Sequence, residues 1–345
     1  MLNVSRSLTA AGLGWALLLA CRSLPEQPAE PTAPGAQYAP PAGIVVVANQ
    51  QSASASIIEL PAGTSTEVPV GTGPHEAAVT ADGRLGIITV YGAQVPGSQL
   101  AVVDLATRKV VRTIELGDLR RPHGAVVISS NPDRVVVTSE MSQRIAIVNV
   151  TEGKVESVIP TNAGGSHMVA VTADGRRGFT ANVQAGSVSE FDLANATFVR
   201  QIPVAPVTEG VAVTPDGAEV WVGSNQLGTV SIVGTKSGKV DTTLTGFRTP
   251  YRIGISRDGR LAVVCDPPSN SVHVVDVATR RTLGSIGDLG SPRGVSIAPD
   301  NRTAFVTLGT EGAIAVVDLT ERKVIRRVTV GASPDGVAFA SRPTR

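Results

Sequence analysis

The stretch "SPRGVSIAPDNRTAFVTLGTEGAIAVVDLTERKV" (Ser291–Val324) decides the fold, because it is one complete copy of a unit that recurs along the chain. It contains a short apolar β segment, a turn around Asp300, and three further β segments rich in Val, Ile and Ala. The unit returns every 42 to 48 residues from residue 44 onward. Four short strands at this period are typical of a propeller blade, which buries its two apolar faces only against neighbouring blades.

The two ends of the chain predict how the ring of blades closes. Three strands, near "IVVVANQ", "SASIIEL" and "STEVPVG", precede the first complete unit, and one strand, "DGVAFA" (Asp335–Ala340), follows the last. We expect these four strands to form a seventh blade, which leaves no free edge between blades. The sequence therefore predicts an all-β, seven-bladed propeller of four-stranded antiparallel blades over residues 44–340, with residues 341–345 as a tail.

Composition excludes some classes of function. Only 3% of the 345 residues are aromatic, the net charge is +1, and no basic run is interleaved with aromatic residues. Nucleic-acid binding depends on such a basic surface, so we expect no nucleic-acid partner. We also expect a monomer.

The N-terminus predicts export and a lipid anchor. Residues 1–20 contain Arg6 and then the apolar run "LTAAGLGWALLLA", as in a signal peptide, and "LLAC" (Leu18–Cys21) resembles a bacterial lipobox. Residues 21–43 would then be a lipidated Cys21 followed by a tether with six prolines. The alternative is a soluble exported protein. Cys265 is the only other cysteine, so no internal disulfide is expected.

One position of the repeat varies in a chemically useful way. It follows the proline, or the residue that replaces it, at the start of the innermost strand of each blade. We call these seven residues the mouth positions: His75, His123, His167, Glu209, Tyr251, Arg293 and Asp335. In a propeller this end of the strand faces the central channel, so the seven side chains should surround one channel mouth, where ligands usually bind.

Three interpretations of this ring remain open. His75, His123, His167 and Glu209 could hold a divalent metal ion, zinc or copper, since three imidazoles and a carboxylate are a common ligand set. The mouth positions could instead bind a small polar ligand, with Arg293 binding an anionic group. The third interpretation is an unspecialised polar rim.

A second group of candidates comes from the loop after the second strand of each blade, which should lie at the same end of the channel. Its members are Asn49, Tyr91, Glu140, Asn182, Asn225 and Asp266. The fourth histidine, His273, lies within a strand and is expected to be structural.

The repeat resembles the YVTN-repeat, YncE-like seven-bladed propellers over nearly all of residues 44–340. "SPDGVAFA", "VTEGVAVTPDGAEVWVGSNQ" and Ser291–Val324 carry the resemblance. It implies a cell-envelope binding or surface protein. Related seven-bladed propellers include lactonases, so the resemblance leaves an enzyme open.

Several catalytic motifs are missing from the sequence. It contains no G-x-S-x-G turn, no complete phosphate loop and no H-E-x-x-H, and it lacks the stacked tryptophans of quinone-dependent propellers. We therefore predict a membrane-anchored lipoprotein of the bacterial cell envelope that binds a small ligand or an envelope protein. The alternative is a metal-dependent hydrolase, lactonase or lyase that uses the histidines.

We predict that Cys21→Ser blocks fatty-acid incorporation and releases the protein from membranes, because the sulfur that would carry the lipid is lost. Labelling with a radioactive fatty acid, followed by membrane fractionation, measures both effects. Wild-type protein that incorporates no label would contradict the lipid anchor.

Overall fold

The computed structural model describes residues 38–341, and these residues form seven four-stranded antiparallel sheets. The predicted all-β, seven-bladed propeller is confirmed. The predicted signal peptide, Cys21 and the tether up to residue 37 lie outside the described residues, as does the tail from residue 342. No helix within residues 38–341 is long and apolar enough to cross a membrane.

The strands follow one another blade by blade, numbered along the chain. The first three strands belong to the seventh blade: β1 (Gly43–Asn49), β2 (Ser54–Leu60) and β3 (Thr64–Pro69). Blade 1 contains β4 (Pro74–Val79), β5 (Leu85–Gly92), β6 (Pro96–Asp104) and β7 (Lys109–Glu115). Blade 2 contains β8 (Pro122–Val127), β9 (Arg134–Ser139), β10 (Arg144–Asn149) and β11 (Lys154–Pro160). Blade 3 contains β12 (Ser166–Val171), β13 (Arg177–Asn182), β14 (Ser187–Asp192) and β15 (Thr197–Pro203).

The remaining blades repeat this order. Blade 4 contains β16 (Thr208–Val213), β17 (Glu219–Ser224), β18 (Thr229–Gly234) and β19 (Lys239–Leu244). Blade 5 contains β20 (Ile253–Ile255), β21 (Leu261–Asp266), a 3₁₀ turn (Pro267–Ser269), β22 (Ser271–Asp276) and β23 (Thr282–Ile286). Blade 6 contains β24 (Pro292–Ile297), β25 (Thr303–Leu308), β26 (Ala313–Asp318) and β27 (Lys323–Thr329), and β28 (Pro334–Ser341) completes blade 7.

The core lies between the blades. Middle strands such as β25 ("TAFVTL") and β26 ("AIAVVD") are buried at every residue, because both faces of each sheet pack against a neighbouring blade. Outer strands such as β7 are largely exposed, and charged residues keep their free edges from pairing with other chains. This burial explains why Val, Ile and Ala dominate the two middle strands of each unit.

Blade 7 combines the two ends of the described chain. Strand β28 pairs antiparallel with β1, with Val45 opposite Phe339 and Gly43 opposite Ser341. The innermost strands β4, β8, β12, β16, β20, β24 and β28 then contact one another in ring order, from β28 back to β4. The start of every innermost strand is therefore held at the same end of the channel.

Glycines let the innermost strands approach closely at the mouth. Four of the residues that directly follow a mouth position are glycine: Gly124, Gly210, Gly294 and Gly336. A Cβ at Gly294 would lie 2.2 Å from the carbonyl oxygen of Asp335, and one at Gly210 would lie 2.5 Å from that of Tyr251. Only glycine allows backbones this near to each other. This close approach brings the side chains of adjacent blades into contact.

Candidate functional site

A β-bulge lies at the start of the innermost strand of most blades, beside the mouth residue. The pairing register shifts between Pro74 and Ala77 in blade 1, and at the equivalent point in blades 2, 3, 4, 6 and 7. Bulges of this kind commonly redirect side chains at functional sites. In blade 2 the Thr138 hydroxyl accepts from the Gly124 N–H (2.8 Å) and donates to the His167 carbonyl oxygen (2.6 Å), which ties this bulge to blade 3.

The three histidines of the mouth form one stack. The ring centroids of His75 and His123 are 3.9 Å apart, and those of His123 and His167 are 3.7 Å apart. Their planes are inclined by 41° and 36°. All three side chains are buried. Blades 1, 2 and 3 thus bring together, in one stack, imidazoles that are far apart in sequence.

Carboxylates flank the two outer rings of the stack. His75 Nδ1 lies 3.1 Å from Asp335 Oδ2, at an angle outside that of a hydrogen bond. His167 Nδ1 lies 3.4 Å from Glu209 Oε1, and its Nε2 lies 4.0 Å from Glu140 Oε2. Each outer imidazole therefore has Nδ1 close to a carboxylate, although neither Nδ1 makes a hydrogen bond.

The central ring has no such neighbour. His123 is 1% exposed, and neither Nδ1 nor Nε2 has a hydrogen-bond partner among residues 38–341. Buried polar atoms are nearly always paired, so the two unpaired nitrogens of this ring mark a position for a ligand or an ordered water. Burial, reinforced by His167 and His75, lowers the pKa of His123 well below 6.5, and burial and Arg252 do the same for the pKa of His167. Both rings are therefore neutral, which is the form that binds a metal ion.

A buried arginine crosses the channel beneath the stack. Arg252, from blade 5, donates from Nε (3.1 Å) and Nη2 (2.8 Å) to Glu76 Oε1 of blade 1, and from Nη1 (2.8 Å) to Glu209 Oε1 of blade 4. Burial raises the pKa of Glu76 to about 7 against the opposing effect of Arg252. Burial lowers the pKa of Arg252, but Glu76, Tyr251 and Glu209 outweigh this effect and raise the pKa well above its usual value. The guanidinium is therefore permanently charged and joins three blades.

Tyr91 covers one side of the stack. Its ring centroid is 5.0 Å from that of His75 and 5.5 Å from that of His123, and its hydroxyl lies 3.1 Å from Glu140 Oε2. The Arg121 guanidinium stacks on the Tyr91 ring, 4.6 Å from the ring centroid. Burial and the nearby Glu140 raise the pKa of Tyr91 to about 12, so its hydroxyl keeps its proton and can donate it to Glu140.

The remaining mouth residues have other neighbours. Tyr251 stacks against Arg252, with the guanidinium 4.4 Å from the ring centroid. Arg293 donates to the Ser333 hydroxyl (3.2 Å), and its charge contributes to the lowered pKa of His75, which burial dominates. Asn225 donates to Glu209 Oε2 at 3.4 Å.

Three residues proposed from the second loop act within their own blades. The Asn49 amide donates to the hydroxyls of Ser54 and Ser56, at 3.0 and 2.9 Å. Asn182 makes the equivalent bonds to Ser187 and Ser189. Asp266 accepts from the backbone N–H groups of Arg248 and Thr249, and lies 3.4 Å from His273. These side chains hold loops in place, whereas Tyr91, Glu140 and Asn225 reach the cluster.

Among residues 38–341, two overlapping sets could hold a metal ion. One contains His75, Glu76 and His123, and the other contains His123, Glu140 and His167; within each set the possible ligand atoms all lie within 4.8 Å of one another. Two imidazoles and one carboxylate form the protein ligand set of several zinc enzymes, which leaves a coordination position open.

Sequence reasoning overlooked Glu76 and Arg252. Both directly follow a mouth position, where four other repeats have glycine. A charged side chain that replaces this glycine must enter the channel, because the strands leave no other room. That contrast within the repeat was a usable signal.

A cavity of about 490 Å³ occupies the channel on the far side of the arginine bridge. Glu76 and Arg252 form one end of it, and small apolar residues such as Ala78, Ala125 and Val295 line its wall. The arginine bridge thus separates this cavity from the histidine stack.

Residues 124–335, more than half of the chain, match the choice-of-anchor I domain. The chain belongs to the choice-of-anchor I domain family. The match extends from the residue after His123 to Asp335 and so includes five of the seven mouth positions. The resemblance to YVTN-repeat propellers stays a prediction beside this family. No curated protein matches the sequence.

Two solved structures share the fold of this choice-of-anchor I chain. Hydrazine synthase from Kuenenia stuttgartiensis is 15% identical, with a TM-score of 0.66, over 75% of this chain and 87% of that one. A protein of unknown function from Desulfotomaculum acetoxidans is 16% identical, with a TM-score of 0.73, over 87% of this chain and 100% of that one. At these identities the likeness concerns the fold alone.

We predict that His123→Asn makes stability less dependent on pH. In the wild type His123 stays neutral when folded and takes up a proton near pH 6.5 when unfolded, so acidification favours the unfolded state. Lowering the pH from 8 to 5.5 should reduce the free energy of unfolding of the wild type by about 1.4 kcal/mol through His123. The variant should not show this part of the loss.

Urea unfolding at both pH values in the presence of a chelator measures the effect. Val95→Ala, at a position that is 81% exposed, is the control and should keep the wild-type dependence. Equal losses of stability in wild type and His123→Asn would show that His123 is not held neutral in the folded state.

Proposed function

We propose that this choice-of-anchor I propeller is an envelope-associated binding module whose channel mouth takes a divalent transition-metal ion, zinc or copper. The observation that carries the proposal is the buried stack of His75, His123 and His167, whose central ring has two unpaired nitrogens. Imidazole suits both ions, and carboxylates complete the ligand set.

The surrounding residues support this function through their positions. Asp335 and Glu209 lie against Nδ1 of the outer histidines, and carboxylates in this position commonly orient metal-binding imidazoles through the non-ligating nitrogen. Both Arg252 bonds to Glu76 end on Oε1, so Oε2 is left for an ion. Tyr91 restrains Glu140 from the other side.

Location at the envelope rests on two supports of different kinds. The chain belongs to a family named for its anchors, and its N-terminus carries the predicted signal peptide and Cys21. We propose a lipid anchor at Cys21, with a small ligand or an envelope protein as the partner of the mouth.

A second candidate function is a metal-dependent hydrolase, lactonase or lyase. The observation in its favour is the composition of the two sets, each with two histidines and one glutamate, because a zinc ion so bound keeps a position for water or substrate. Metal-dependent hydrolysis of an ester or lactone, lost with the metal, would favour the enzyme over the binding module.

We predict that protein purified without a histidine tag binds zinc, and that His75→Ala/His123→Ala/His167→Ala does not. Isothermal titration with zinc and elemental analysis after dialysis measure both. The triple variant should fold, because the propeller core lies between the blades.

His273→Ala is the matched control, since His273 lies in β22 beside Asp266 and outside the stack. It should bind zinc as the wild type does. A wild type that binds neither zinc nor copper, or a triple variant that binds as much as the wild type, would refute the metal-binding function.

A further inference from the structure

The three stacked histidines are not equivalent, and the difference concerns how many nitrogens each offers to an ion. His75 and His167 each have one nitrogen, Nδ1, against a carboxylate oxygen, at 3.1 Å from Asp335 and 3.4 Å from Glu209. When an imidazole binds a metal through one nitrogen, the other normally donates its hydrogen to such a carboxylate. Neither Nδ1 makes a hydrogen bond, but the adjacent carboxylate distinguishes the outer rings from His123 and favours Nε2 as their ligand atom.

His123 offers both nitrogens. No residue within 38–341 bonds to its Nδ1 or Nε2, although the ring is 1% exposed. A single ion would bind one of them and leave the other as a buried N–H without an acceptor, which is unfavourable. Burial of both nitrogens therefore favours a separate partner for each.

The two ligand sets meet at this ring. His75 and Glu76 lie on the blade 1 side of His123, and Glu140 and His167 complete the second set with His123 from blades 2 and 3. His123 is the only residue common to both sets. Two ions could therefore each have an outer histidine and a glutamate of their own.

We propose that the mouth binds two divalent transition-metal ions and that His123 bridges them through its two nitrogens. This inference rests on the proposed metal-binding function and specifies the number of ions and the ligand that joins them. As the second ion binds, His123 loses its remaining N–H proton to solvent, and the ring becomes an imidazolate that donates one lone pair to each ion. No oxidation or reduction is involved.

The charges around the stack favour the binding of cations. Four carboxylates surround it: Glu76, Glu140, Glu209 and Asp335. Arg252 balances part of this negative charge beneath the stack. Arg293, whose charge also acts on His75, offsets a further part. Four carboxylates against two guanidinium groups leave the cluster negatively charged, which attracts divalent cations.

Copper(II) is the probe that tests the bridge, because two copper(II) ions joined by an imidazolate couple magnetically and lose much of their paramagnetic resonance signal. The full-length, tag-free protein is titrated with copper(II). We expect two equivalents to bind and the integrated signal to be well below that of two isolated ions.

Variants of the outer histidines remove one set at a time. His75→Ala and His167→Ala should each bind one copper. The integrated paramagnetic resonance signal of each variant should account for all of the bound copper. His123→Ala should lose the coupling. The control His273→Ala should behave as the wild type, and circular dichroism with thermal unfolding shows that each variant is folded.

The possible failures are distinct. A wild type that binds one copper with full signal overturns the two-ion inference and leaves the metal-binding function standing. Two coppers without coupling, or coupling that survives His123→Ala, overturns the bridge. A wild type that binds no copper and no zinc refutes the proposed function itself.

Discussion

The close approach of the innermost strands at one end of the channel is the constraint on which the site depends. At Gly124, Gly210, Gly294 and Gly336 the neighbouring backbone lies so near that a Cβ would overlap it. Adjacent mouth residues are consequently in contact. The rings of His75, His123 and His167 stack with centroids 3.9 and 3.7 Å apart. A wider channel would leave the same residues apart on a polar rim.

The cost of this arrangement is the burial of charged and polar groups. Glu76, Glu209 and Arg252 are buried together, and the loss of one partner from such a group typically costs about 3–5 kcal/mol. The hydrogen bonds that Arg252 donates to Glu76 and Glu209 join three blades and offset that cost. They also hold these side chains in place next to the stack. The imidazole nitrogens of His123 have no comparable compensation within residues 38–341, and this observation supports the proposed ligand at the mouth.

The fold could be predicted from the sequence because its unit is local. Each repeat contains four strands and their turns, such as the Asp82 turn in which the carboxylate accepts from Thr80 and from the Arg84 N–H. Gathering of the mouth residues at one end of the channel was likewise expected from their shared place in the repeat. The contacts among them were beyond prediction, because stacking, bulges and strand separation depend on packing between blades.

The second loop shows the same limit. Asn49, Asn182 and Asp266 occupy positions equivalent to those of Tyr91 and Glu140, yet their side chains satisfy hydroxyl or backbone groups of their own blades. Position in the repeat could not separate the two groups, since side-chain length and nearby Ser residues determine where each bond goes. Glu76 and Arg252 were missed because they stand where glycine is the repeat's usual residue.

Diffraction from zinc-soaked crystals, recorded on both sides of the zinc absorption edge, tests the central claim most directly. We expect anomalous peaks within coordination distance of His75, His123 and His167, about 2.0–2.1 Å from the ligating nitrogens. An unaltered stack with no anomalous peak beside any of the three rings, in crystals that show zinc elsewhere, would contradict the claim.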